Sequence, residues 1–164
     1  MHKLVTAATV ALALAAAGPA WAEGTFVVGG GQTTPDMLGF GLSAHIGPDG
    51  LASGELTAGL SLAPPFPKVA EITSKVTCLT IIGNRAMIGS VLTHVNAPGG
   101  GGIEGFSPGM GLLSLAVDNG VPGQSAVPDE FNGVALLPTA PFVCPPPVGD
   151  ITPLAQGNIT ISGG

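Results

Sequence analysis

The chain has 164 residues, enough for one domain with a single core once an export segment is set aside. Ten carboxylates face four Lys and Arg side chains, a formal net charge of −6, which argues against electrostatic capture by nucleic acid or anionic membranes. Charged residues make up only 9% while Gly (27) and Pro (16) abound, so the composition implies turns between apolar segments, not charge-driven disorder.

Residues 1–22 have the form of a secretory signal. Lys3 gives a short basic start, Leu4 to Ala17 an alanine-rich apolar run, and Ala20-Trp21-Ala22 a small-x-small site before Glu23. Cleavage after Ala22 and a secreted, extracellular protein are expected. The apolar run is short for a membrane span, and no second one follows. Leu137-Pro138-Thr139-Ala140 lacks the glycine, hydrophobic tail and basic end of a wall-sorting signal, and no cysteine follows the cut for a lipid anchor. Trp21 departs with the signal and the chain has no tyrosine, so the aromatic platforms common in sugar and single-strand nucleic-acid modules are missing.

Residues 23–35 are expected to form a flexible leader. Thr25 to Val28 has strand character, but Gly29-Gly30-Gly31 interrupts it, and no lysine or helix follows to make a phosphate loop. Met37 to Ile46 alternates, with Leu38, Phe40, Leu42 and Ala44 on one face and Gly39, Gly41, Ser43 and His45 on the other. Gly47-Pro48-Asp49-Gly50 is a turn, and Leu51 to Leu62 returns with Leu56, Ala58, Leu60 and Leu62 in phase. Pro64-Pro65-Phe66-Pro67 then stops regular pairing.

Glu71 to Val95 reads as the central hairpin, turning at Gly83-Asn84. A two-residue loop pairs Ile82 with Arg85, Ile81 with Ala86, Leu79 with Ile88, Cys78 with Gly89 and Val76 with Val91. One face then holds Leu79, Ile81, Ala86 and Ile88; the other holds Val76, Cys78, Met87 and Val91. Neither is polar, which implies cover on both sides. Ala97 to Gly109 is a glycine-rich loop. Met110 to Asp118 and Asp129 to Leu137 read as strands, Pro138 to Pro153 as a long crossing loop, and Gly157 to Ile161 as a closing strand.

About seven or eight strands and no helical period predict an all-β domain over residues 36–164. Sequential hairpins favour a compact antiparallel β-barrel in meander order; a two-sheet β-sandwich is the alternative. Cys78 and Cys144, in an exported chain, most simply form one intramolecular disulfide, with free thiols or a bond between chains as alternatives.

V-T-C-L-T-I-I-G-N-R-A-M-I-G at Val76 to Gly89, V-D-N-G-V-P-G at Val117 to Gly123, D-E-F at Asp129 to Phe131 and G-N-I-T-I at Gly157 to Ile161 together resemble the bacterial secreted family called post-COAP domains. The resemblance covers most of the chain after the signal. It implies a small exported β-domain and carries over no activity or ligand. The long Ala97 to Gly109 loop departs from the pattern.

No catalytic constellation and no cofactor motif stands out. Asp118, Asn119, Asp129 and Glu130 are the best oxygen-rich group. A folded-back Asn119 to Pro128 loop would bring their oxygens together for a hard cation such as Ca²⁺. The spacing is not that of an EF-hand, and the preferred reading is turn capping by Asp118 and Asn119 with solvated Asp129 and Glu130, so no metal site is expected. His45 and His94, with Ser43, Ser90, Asp118 or Asp129, permit a hydrolytic set on paper only, without a local signature. Asn158-Ile159-Thr160 fits a glycosylation sequon by chance. The expectation is therefore a non-enzymatic extracellular module, structural or adhesive, with an extracellular or cell-surface partner. The alternative is a carrier of small apolar ligands with a barrel cavity.

Overall fold

The computed structural model describes residues 24–33, 38–61, 68–96, 105–121 and 123–163. The expected signal segment, the Pro64 to Pro67 break and the start of the 97–109 loop lie outside them. Eight strands form one antiparallel sheet: β1 (Phe26–Thr33), β2 (Leu38–Ile46), β3 (Ala52–Ser61), β4 (Lys68–Ile82), β5 (Arg85–Asn96), β6 (Gly111–Val117), β7 (Glu130–Leu137) and β8 (Leu154–Ser162). Each of β1 to β6 pairs with its successor, and β8 returns to the free side of β1, giving the order β7-β6-β5-β4-β3-β2-β1-β8. The sheet curls until its ends nearly meet, a barrel with one open seam. The meander barrel is thus what forms, and not the sandwich.

The expected flexible leader is instead a strand. β1 runs through Gly29-Gly30-Gly31, paired with β2 on one side and β8 on the other. The glycines belong there because the neighbouring backbones come close. A Cβ at Gly29 would stand 2.5 Å from the Asn158 carbonyl oxygen, one at Gly30 3.0 Å from that of Phe40, and one at Gly31 would overlap that of Gln156.

At the central hairpin the turn sits at Gly83-Asn84, with Gly83 at φ 59°. The expected register holds from Ile82↔Arg85 to Cys78↔Gly89. Beyond it a β-bulge at Thr77 pairs Val76 with Ser90 instead of Val91. One extra residue reverses the facing of everything behind it. Val76 therefore joins Leu79, Ala86 and Ile88 inside the barrel, not Cys78 and Met87 outside it.

The interior is filled by side chains, as in other small barrels. Val27, Leu42, Leu56, Ile72, Ile88, Leu92 and Ile159 are buried, and the rings of Phe40 and Phe131 stack across it with centroids 3.9 Å apart. Ser74, Ser90 and Ser114 also point inward; Ser74 Oγ donates to the Leu56 carbonyl at 3.3 Å, whereas the Ser90 and Ser114 hydroxyls are buried without a partner.

A second, smaller cluster lies on the outside of β4, β5 and β6. Cys78, Met87 and Leu115 are covered there by the segment 138–150, which follows β7 and carries Cys144. The Cys78–Cys144 disulfide pins this strap, with the two Cα atoms 5.5 Å apart. Thr77 Oγ1 donates to the Pro141 carbonyl, Thr80 Oγ1 to that of Cys144 at 3.2 Å, and Arg85 Nε to that of Pro147 at 3.0 Å. Gly89 makes room, since a Cβ there would collide with the Cys78 sulfur and with Pro141 and would crowd the Cys144 sulfur. The hairpin is covered on both faces.

Two substitutions test this. Ile88→Ala, inside, and Leu115→Ala, beneath the strap, should each cost about 2–5 kcal/mol in chemical denaturation. A loss under about 1 kcal/mol at Leu115 would mean that the outer cluster is not a true core.

Candidate functional site

The residues singled out as oxygen-rich meet at the seam. β6 ends at Val117 and β7 starts at Glu130, so Asp118 and Asp129 are the two ends of the connecting loop. That loop folds back, as the cation reading requires. Asn119 N donates to Asp129 Oδ1 at 2.7 Å, and Asn119 Nδ2 donates to the Pro128 carbonyl at 2.7 Å.

What the carboxylates receive there is N–H groups. Between β7 and β8 only a short stretch of true pairing exists, with Phe131 N donating to the Thr152 carbonyl and Leu154 N to that of Asp129. Further along β8 its outward N–H groups have no strand beside them. Asp129 Oδ2 accepts from Ile159 N at 2.6 Å, and Asp118 Oδ2 accepts from Ile161 N at 3.0 Å. The remaining oxygen of Asp118 caps its own turn, accepting from Gly120 N at 2.8 Å. Each carboxylate thus binds its loop with one oxygen and the last strand with the other.

Asn84, in the central turn, extends the network. Its Nδ2 donates to the Asp118 carbonyl at 2.9 Å and lies 3.3 Å from Asn119 Oδ1, while Asp118 N donates to the Asn84 carbonyl. Asp129 is 6% exposed although acidic, a position tolerable only because ionic hydrogen bonds replace its hydration. Glu130 stands apart from this convergence as a half-buried residue of β7, opposite Val117. No group of three or more His, Cys, Asp or Glu close enough to hold a metal ion occurs among the described residues.

The histidine sets do not assemble. His45 and Ser43 are exposed on the outside of β2, and His94 on β5. Ser90 is sealed inside the barrel, and Asp118 and Asp129 are committed to the seam. His45 does gain a partner that the sequence reading missed: its Nε2 is 3.0 Å from Ser53 Oγ, directly across on β3. Neither imidazole hydrogen-bonds a carboxylate among the described residues. Beside His45, the outer faces of β8, β1 and β2 form an apolar groove of about 650 Å³ with Phe26, Val28, Ile46, Pro48 and Thr160 in its walls.

Compared with protein-family models, curated proteins and solved structures, the chain matches none.

If the seam depends on Asp129, Asp129→Ala should destabilise by about 1–3 kcal/mol for each of the two amides left without an acceptor. Glu130→Ala should stay within about 0.5 kcal/mol of the parent, as surface changes do. Equal effects in urea titrations of the two variants would refute the assignment.

Proposed function

We propose that the protein is a secreted, non-enzymatic β-barrel module that works through its outer surface, as a structural or adhesive element. One observation carries this reading: Asp118 and Asp129, the carboxylates that converge, are spent as hydrogen-bond acceptors that hold the barrel together. Carboxylates whose oxygens are both held by backbone amides are poorly placed to take a proton from a substrate.

Further features support it. The stacked pair Phe40–Phe131 occupies the interior that a carrier of apolar ligands would need. Outward positions hold Glu55 opposite Lys75, together with exposed His45, His94 and Thr93, a surface suited to water and not to a lipid belt. The disulfide and the form of residues 1–22 agree with an oxidising, extracellular address. The post-COAP resemblance implies the same address and carries over no activity or ligand.

Material recovered after export should begin at Glu23 and show Cys78 linked to Cys144 in unreduced peptide maps. It should turn over chromogenic esters, peptides and glycosides no faster than His45→Ala does. Retention with Met1 intact contradicts export; turnover abolished by His45→Ala contradicts the non-enzymatic reading.

A further inference from the structure

The strap that covers the outer cluster also presents the most exposed large apolar side chains of the described residues. Phe142 is 81% and Val143 85% exposed, side by side. They are not on a loose loop. Thr77 grips the Pro141 carbonyl before them, and the Cys78–Cys144 bond and Thr80 hold the chain after them. A rigid aromatic knob of this kind loses little freedom on binding and is the sort of residue that dominates interfaces.

The same molecule offers a place of matching character. The groove beside His45 is walled by Phe26, Val28, Ile46 and Pro48, and Val28 is 40% exposed although apolar. Its volume of about 650 Å³ exceeds what one phenylalanine and one valine side chain fill. Both patches are neutral on an acidic protein. Residues 138–149 contain no charged side chain, and the groove's only titratable member is His45. Two copies with the same net charge therefore meet with least repulsion through these neutral patches, and it is the groove that offers the protruding knob a matching hollow.

The strap cannot reach the groove of its own chain. The strap is centred over β5 and the groove over β1, which lie four strands apart in either direction around the nearly closed sheet. We propose that the knob Phe142–Val143 of one copy docks in the β8–β1–β2 groove of the next, so that the protein self-associates head to tail. Such a contact is heterologous: every pair leaves one knob and one groove open, and assembly continues beyond the dimer. This deepens the reading of the protein as a structural module and rests on it for its setting. Its failure would leave export and lack of turnover, which have their own tests, untouched.

Sedimentation velocity of the exported protein over a wide concentration range decides it, with unfolding melts to confirm that each variant is folded. The wild type should form species larger than dimers, increasingly so as salt screens the like charges. Phe142→Asp should weaken association at least about tenfold, as loss of an anchor residue does. Val28→Asp should do the same from the groove side, and Pro48→Glu, at an exposed turn position, serves if Val28→Asp does not fold. Mixing a knob variant with a groove variant should restore a complex that stops at one copy of each. A wild type that stays monomeric overturns the proposal, as does association indifferent to these changes. So does a mixture that restores nothing, which would point to a twofold contact or another occupant.

Discussion

A meander of antiparallel strands that does not close completely ends with two edges, and the central physical problem of this protein is what to do with them. β8 lies against β1, so its other side faces β7 across a gap that backbone pairing bridges only near Glu130 and Pro153. Strand N–H groups left there would lose water without gaining a partner, or stay wet and invite another strand. Asp118 and Asp129 remove the difficulty by putting carboxylate oxygens where a neighbouring strand's carbonyls would be. An ionised acceptor makes a stronger bond than a carbonyl, so two side chains stand in for a missing ladder.

The same solution couples distant parts of the chain. Asn84 ties the central turn to Asp118, Asp118 and Asp129 tie the β6–β7 loop to β8, and β8 pairs with β1 from Phe26↔Ser162 onward. Closure therefore joins the two ends of the domain, the costliest contacts in chain entropy. On the opposite wall the disulfide does comparable work, holding the strap over Met87 and Leu115 so that β5 and β6 are buried on both faces.

Much of this was legible in the sequence. Alternation and turn chemistry placed the strands, Gly83-Asn84 set the hairpin register as far as Cys78, and apolar residues on both hairpin faces announced a second layer. The bulge at Thr77 was not legible, because local pattern does not say where an extra residue is accommodated. Nor was β1, since Gly29-Gly30-Gly31 reads as a breaker until β2 and β8 are seen crowding it from both sides. At the site, Asp118, Asn119 and Asp129 were recognised as convergent oxygens. That they meet amide hydrogens depends on β8, which lies some thirty to forty residues further along. An Asp directly after one strand and another directly before the next is the only local trace of that role.

Native-state amide hydrogen exchange at Ile159 and Ile161 tests the seam most directly. If the two carboxylates seal it, both amides exchange as slowly as those paired in the β1–β8 ladder, although no strand lies beside them on that side. Exchange as fast as at the exposed Gly123 of the β6–β7 loop would show the seam open in solution and contradict the account.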